Sequence, residues 1–353
     1  MRSVIVLAGG KGERFQVPGK ALRDKALTKL DGTTFLEKIV ETGIQIADEV
    51  IISTDSQERG RKYREILEKR FKEFKIFIDE ASLPVKGPLL GLTTSLKYCQ
   101  GTRCVTVPVD APFMKVGVLE SLFKLGAGWD VAVPVWSNGK IEPLIAYYDK
   151  KQVFEAVKAT CILSKGRAAD SFRGTSKALY VHVNEFREVD SRLESFVNIN
   201  HPSDLKIRRT TEVEGKLESS VSFETKKLDF NLMGEILNDV VKLNTENAFS
   251  LISKINHEFW RANLLKALAE KTKETDFYIR SGEVFLLESK RYRQKKISFQ
   301  ELHALIDSDE AFEKAGKSLS NLGSRIDLLF RQLGIIKDER HHPSLLQANS
   351  FCK

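Results

Sequence analysis

Apolar residues follow two rhythms over the first two hundred positions. Short continuous runs, such as Ser3 to Ala8 and "EVIIST" at 49–54, read as strands buried on both faces. Between them, "TTFLEKIVETGIQI" at 33–46 sets Phe35, Leu36, Ile39 and Val40 at helical spacing. Thr33 or Thr34 supplies a cap, with Glu37 in capping-box position to Thr34. Residues 57–74 read as a charged helix, "KIFID" at 75–79 as a third strand, "LLGLTTSLKYC" at 89–99 as a helix and "CVTVPVD" at 104–110 as a fourth strand. Strands alternating with helices imply crossover units and a mostly parallel sheet. "WDVAVPVW", "EPLIAYY" and "ALYVHV" follow with strand character, and "SNGK" at 137–140 reads as a tight hairpin turn. The expected fold is α/β: a Rossmann-like, doubly wound, mixed but mainly parallel sheet.

The texture changes near Arg209. "RRTTEVEGKLESS" at 208–220 has no clear period and reads as a linker. It divides a domain at 1–207 from a second at 221–353, expected to be a mostly α-helical bundle. There "FNLMGEILNDVVKL", "ENAFSLISKINHEFWRANLLKALAEKT", "FQELHALI" and "LSNLGSRIDLLFRQLGI" have amphipathic helical spacing. "FYIRSGEVFLLES" at 277–289 reads as a short hairpin.

Length and composition narrow the class. At 353 residues and 42% hydrophobic, the chain can bury a sizeable core. No apolar run approaches the roughly 18 to 20 residues that cross a bilayer, and a cytosolic location is expected. Cys99, Cys104, Cys161 and Cys352 form no C-x-x-C pair and no zinc spacing with histidine, and the first three read as small buried thiols. A net charge of +8 suits an anionic substrate and does not by itself indicate nucleic acid. "KRYRQKK" at 290–296 has two readings, an RNA contact and a solvated basic edge, and the second is favoured. His341-His342 lies in a polar tail with no metal role expected, and Trp129, Trp136 and Trp260 read as packing residues.

The chemistry gathers at strand ends. In an open parallel sheet, ligands lie beyond the carboxyl ends of the strands. Those ends here are Leu7-Ala8-Gly9-Gly10, Ser53-Thr54-Asp55, Asp79 and Asp110-Ala111-Pro112. "LAGGKGERF" at 7–15 reads either as a sharp turn or as a phosphate cradle. Gly9, Gly10 and Gly12 allow backbone N–H groups to converge on an anion, with Lys11 and Arg14 adding charge. No G-K-[ST] closes the loop, and the G-x-G-x-x-G spacing is absent.

"LAGGKGERF", "DKALTKLDGTTFLEK", "KGPLLGL", "VPVDAPF", "EPLIAYY" and "FVNINHPSDL" occur in this order over about residues 1–207. In this they resemble the molybdenum cofactor guanylyltransferases, which have the nucleotide-diphospho-sugar transferase type of sheet. The opening loop is shared by many sugar nucleotidyltransferases, whereas "KGPLLGL" with "FVNINHPSDL" is more specific. The resemblance implies that Leu7, Ala8, Gly9, Gly10, Lys11 and Gly12 hold the nucleotide and that Lys25 and Arg14 neutralise phosphate. It further implies a polar contact from Ser53, a nucleoside contact from Asp79, and a guanine pocket shaped by Gly87, Pro88, Leu89 and Gly91. Asp110 would bind Mg²⁺, and Asn198 and Asn200 would face the pterin. "GRAADSF" at 166–172 resembles the family's helix beside the acceptor pocket and reads equally as a plain helix start.

The sequence departs from the family in three places. "GKALRDKAL" holds two K-A-L copies, so either Lys20 or Lys25 could be the family lysine, and downstream spacing favours Lys25. "VDAP" replaces the more usual "CDTP" but keeps the aspartate, and His201 stands where threonine is more usual. The implied reaction is GMP transfer from GTP to molybdopterin with release of pyrophosphate. Alternatives are cytidylyl transfer to molybdopterin, guanylyl transfer to cobinamide phosphate, phospholactate or a sugar phosphate, and a nucleotide-binding regulator without turnover. Residues 221–353 keep three open roles: oligomerisation, docking on a molybdoenzyme and acceptor delivery.

Overall fold

The computed structural model describes residues 1–10, 24–201, 204 and 214–335. Lys11, Gly12, Arg14, Lys20, His341, His342 and Cys352 lie outside them.

The chain opens with β1 (Arg2–Leu7), then a 3₁₀ turn (Lys25–Leu27) and the small pair β2 (Lys29–Leu30) and β3 (Thr33–Thr34). Next come α1 (Phe35–Ile44), β4 (Glu49–Thr54), α2 (Gln57–Leu67), β5 (Lys75–Ile78), α3 (Pro88–Tyr98) and β6 (Arg103–Pro108). There follow α4 (Val116–Leu125), β7 (Val131–Val135), β8 (Ala146–Asp149), α5 (Lys150–Leu163), α6 (Asp170–Arg173) and β9 (Lys177–His182). Among the described residues, β10 (Val221–Glu224) and six helices follow: α7 (Phe230–Lys242), α8 (Thr245–Ser253), α9 (Glu258–Thr272), α10 (Thr275–Gln294), α11 (Ser298–Lys314) and α12 (Ser320–Gln332).

Eight strands form one mixed sheet in the order β10-β9-β7-β8-β6-β1-β4-β5. β1 pairs in parallel with β4 and β6, and β4 with β5. β8 runs antiparallel to both β6 and β7, β9 returns parallel to β7, and β10 is antiparallel to β9. After β5 the chain crosses to the far side of β1, so strand order reverses between β1 and β6, the place where such sheets bind ligands. β1 is apolar at every position from Val4 to Leu7 because helices cover both its faces. One face is sealed by α1, α2 and α4 through Phe35, Ile39, Tyr63, Leu119 and Phe123. On the other face Leu92 and Leu96 of α3 and Val153 and Val157 of α5 share a core with Tyr292, Leu302 and Leu329 of α10, α11 and α12. α1 begins in the expected capping box: Glu37 N–H donates to Thr34 Oγ1 at 3.2 Å and Thr34 N–H to Glu37 Oε2 at 2.8 Å.

One segment differs from its sequence reading. Residues 277–289 form the middle of α10, not a hairpin. Its buried positions, Phe277, Ser281, Val284, Phe285, Glu288, Ser289 and Tyr292, keep helical spacing. Several are small or polar, which hides the period in a hydrophobicity count. α11 presses close at Gly282, where a Cβ would sit 2.9 Å from Phe312 Cε2. In the basic run 290–296, Lys290, Arg293, Lys295 and Lys296 are exposed, as a solvated edge requires, and several of its residues are tied down locally. Tyr292 is fully buried, Arg291 pairs with Glu258 at 2.7 Å, Arg293 with Glu301 at 2.7 Å, and Lys296 Nζ donates to Lys216 O at 2.8 Å.

Candidate active site

β1 ends at Leu7, flanked in register by Ser53 of β4 and Pro108 of β6. The ladder runs one step further on each side: Ala8 N–H donates to Ser53 O at 2.9 Å, and Val109 N–H to Leu7 O at 3.1 Å. The main chain from Leu7 to Gly10, Ser53, Asp79 and Asp110 therefore shares one rim.

On the β4 and β5 side, Ser53 donates its hydroxyl to Asp79 Oδ1. Burial pushes the Asp79 carboxyl up to about 6; Asp55 adds to the rise and the Ser53 hydroxyl opposes it. Two glycines permit this pair. A Cβ on Gly9 would lie 3.3 Å from Asp79 Oδ2, and one on Gly91 would lie 2.5 Å from Ser53 Oγ. Gly87, with φ of +81°, turns the chain into α3, and Pro88 opens that helix. Leu89 points into the core beneath and is fully buried.

α2 holds the glycine segment from outside. Arg59 Nη1 donates to Gly10 O at 2.6 Å and to Asp55 Oδ1 at 3.0 Å, while Gly10 N–H reaches Asp55 Oδ2 at 3.3 Å. One turn on, the Tyr63 hydroxyl lies 2.9 Å from Asp24 Oδ2 and 3.2 Å from Ala8 O. Asp24 in turn caps the 3₁₀ turn that begins at Lys25, accepting from Ala26 N–H at 3.0 Å. Lys25 is thus fixed relative to the β1 end through one buried phenol.

Lys25 reaches the middle of the rim. Its ammonium donates to Asp110 Oδ2 and to Asn200 Oδ1, each at 2.8 Å. The segment carrying Asn200 is tied down nearby, because Ile199 N–H donates to Asp110 O at 2.8 Å. Asp190 anchors the same segment from below through Lys115 at 2.7 Å and Ser195 N–H at 2.8 Å. Beyond Asp110, over β6 and β8, a recess is lined by Asp110, Asn198, Lys140, Glu142 and Pro143. Asn198 Oδ1 is buried there without a hydrogen-bond partner among the described residues. Glu142 accepts from Trp136 Nε1 at 2.7 Å. Burial pushes its carboxyl up, and nearby Asp110 adds to the rise.

The structure therefore gathers Leu7, Ala8, Gly9, Gly10, Lys25, Ser53, Asp79, Gly91, Asp110, Asn198 and Asn200 along one edge. Sequence reasoning gave no role to Arg59, Tyr63 or Glu142. Glu142 stood inside the quoted "EPLIAYY" and could have been found from it. Arg59 and Tyr63 sit four apart on a charged helix and give no sequence signal of their purpose.

Comparison with known proteins gives the family. Residues 4–179 match the family described as the MobA-like NTP transferase domain. A probable molybdenum cofactor guanylyltransferase of Methanosarcina mazei is 34% identical over 205 residues, covering 58% of this chain and 88% of that protein. One from Methanosarcina acetivorans is 31% identical over 218 residues, covering 62% and 93%. Molybdopterin-guanine dinucleotide biosynthesis protein A of Archaeoglobus fulgidus, a crystal structure, aligns at 27% identity with a TM-score of 0.48 over 58% of this chain and 95% of that one. The molecule is an enzyme of the nucleotidyltransferase class. Its matched residues place it further: the chain belongs to the MobA-like NTP transferase family.

Proposed function

We propose that the enzyme transfers GMP from GTP to molybdopterin, giving the guanine dinucleotide and pyrophosphate. The observation that carries this reading is the Lys25 ammonium held between Asp110 and Asn200 at the point where strand order reverses. An acceptor phosphate oxygen attacks the α-phosphorus of GTP, a new P–O bond forms, and the bond to the bridging α–β oxygen breaks as pyrophosphate leaves. The nucleophile is already anionic, so the protein need not remove a proton. Its task is to align the groups and to stabilise negative charge gathering at one phosphorus.

Main-chain groups from Leu7 to Gly10 border the triphosphate, and Lys25 supplies the positive charge. Ser53 and Asp79, with the start of α3 at Gly87, border the nucleoside. Lys11, Gly12 and Arg14 belong to the same cradle in this reading. Asn198 and Asn200 face the acceptor. A magnesium ion fits the donor set, since the Asp110 carboxylate and the unpartnered Asn198 carbonyl oxygen are hard oxygen donors. No group of three or more metal-binding side chains is found among the described residues, so phosphate and water oxygens would complete its shell. When bound, the ion supplies charge neutralisation on the phosphates.

The test is incubation of the protein with GTP, Mg²⁺ and molybdopterin, reading dinucleotide and pyrophosphate. Product with GTP and none with CTP is expected. Product only with CTP, or only with a different phosphorylated acceptor, overturns the assignment while leaving the nucleotidyltransferase class intact.

A further inference from the structure

The turn that carries Glu142 into the cleft is gripped by residues from the far end of the chain. Within the turn, Trp136 N–H donates to Lys140 O and Gly139 N–H to Trp136 O, both at 2.8 Å. Asn138 Oδ1 accepts from Lys140 N–H at 3.0 Å. These bonds close the turn but leave Ser137, Asn138 and Gly139 with carbonyls pointing away from it. Each finds a partner beyond residue 207. Leu217 N–H donates to Ser137 O at 2.9 Å, and Phe299 N–H to Gly139 O at 3.1 Å. Gln332 Nε2 donates to Asn138 O at 3.2 Å and also to Ser298 Oγ at 2.8 Å. Asn138 Nδ2 returns a bond to Gln332 O at 3.2 Å.

The fit is close on the main chain as well. Gly139 has φ of +81°, and a Cβ there would collide with Lys296 O. His182 adds a fourth tie. Asn184 N–H at its Nδ1 leaves the proton on Nε2, which lies 3.1 Å from both Leu217 O and Ser137 Oγ. Every one of the gripping residues, His182 included, lies past the family match at 4–179. The cleft wall is therefore set by a part of this chain that the family match does not reach.

The wall is on one side only. Leu7 to Gly10, Ser53 and Asp79 stand over β1, β4 and β5, whereas Lys140, Glu142 and Pro143 stand past Asp110 over β6 and β8. If the triphosphate lies on the glycine side, the turn faces the acceptor. We propose that the C-terminal region acts as a clasp on residues 136–142, with Gln332 and Asn138 as positioning residues that set affinity for the phosphorylated acceptor and not for the nucleotide. The clasp rests on the transferase reading for its effect on turnover, but the hold on the turn does not.

Gln332→Met in the full chain removes both side-chain bonds and keeps length and helix. Steady-state transfer is measured with acceptor and GTP varied separately. The expected result is an acceptor KM raised about tenfold, the ratio that one or two lost hydrogen bonds correspond to, with the GTP KM and kcat within about twofold. Mere loss of stability would instead lower kcat through the active fraction and leave both KM values alone. Equal shifts in the two KM values, or none, overturn the proposal. Hydrogen exchange of the substrate-free proteins is run alongside, with faster exchange at 136–142 expected in Gln332→Met. If the wild type transfers to no acceptor, the transferase reading fails by itself, and unchanged exchange at 136–142 then overturns the clasp.

Discussion

Replacing Lys25 with methionine removes one charge and little volume, and its effect can be worked from the site. The ammonium makes two 2.8 Å bonds, to Asp110 and Asn200, and its side chain is 15% exposed. A unit charge about 4 Å from developing negative charge, at an effective dielectric near 20, is worth about 4 kcal/mol. That corresponds to about a thousandfold in rate, and partial compensation by a metal and by backbone donors reduces it to between about a hundredfold and a thousandfold. Lys25→Met should therefore lower kcat by about that factor while GTP binding weakens much less. Lys25→Arg should keep charge yet lose much activity, because a planar fork cannot donate to both Asp110 Oδ2 and Asn200 Oδ1 from one nitrogen with the same geometry. Lys20→Ala is the control and should fall within about threefold of wild type. The assay is single-turnover transfer at saturating GTP, so that binding and chemistry separate. A Lys20→Ala loss exceeding that of Lys25→Met would refute the assignment of the lysine. Unaltered kcat in Lys25→Met would refute the charge argument itself.

Burial holds the Asp79 carboxyl near 6, above its ordinary 3.8, so the folded state retains a proton that the unfolded chain releases first. Wild-type stability relative to Asp79→Asn should fall as pH rises from about 4 through about 6 and level above that; parallel melting curves would contradict it. Asp307→Asn should cost about 3 to 5 kcal/mol in urea unfolding, because Arg167 and Arg173, both buried, each lose an ionic partner at 2.6 Å. Burial alone would raise the Asp307 carboxyl, but those guanidiniums hold it well below the usual range. Its stabilisation is thus present above about pH 4 and lost as pH falls below that. A fragment ending at residue 207 should be insoluble or lack a cooperative melt, since it strips β10 from β9 and uncovers the core shared with α10 to α12. A soluble, sharply melting fragment would show the first two hundred residues to be self-sufficient.

The strands and helices of the first half were legible because each obeys a local rule. β1 is apolar without interruption, α1 carries its capping box in Thr34 and Glu37, and the carboxyl ends of four strands bear glycine or aspartate. The family resemblance left Lys20 and Lys25 both open and downstream spacing favoured Lys25; the link from Lys25 to the rim passes through Asp24 and Tyr63, thirty-nine residues apart, which no local spacing records. α10 was illegible for a different reason. Glu288 occupies a fully buried position whose partner, Arg173, lies 115 residues away, so a polar letter marks a core site. The grip on Asn138 by Gln332 spans 194 residues, each side-chain amide donating to the other residue's main-chain carbonyl, and leaves no periodic trace.

These long-range contacts converge on one helix. At its start, α11 offers Ser298 Oγ to Gln332 and Phe299 N–H to Gly139, holding the turn beside Glu142. One residue later Gln300 Nε2 donates to Ala169 O at 3.1 Å, and two turns on Asp307 binds Arg167 and Arg173. Arg173 is further fixed by Glu288 at 2.6 and 2.8 Å and by the Phe259 ring 4.7 Å away. A buried ionic cluster of this kind adds little net stability over a well-packed apolar one, but it tolerates few alternative registers. A slip of α11 by one residue would break the Arg167 and Arg173 pairs and the Gly139 bond together. The cluster at 167–173 and the turn at 136–142 are therefore set by a single register. That is the physical reason to expect substitutions deep in α11 to register at the turn beside Glu142 before they register at the Ser53 and Asp79 end of the rim.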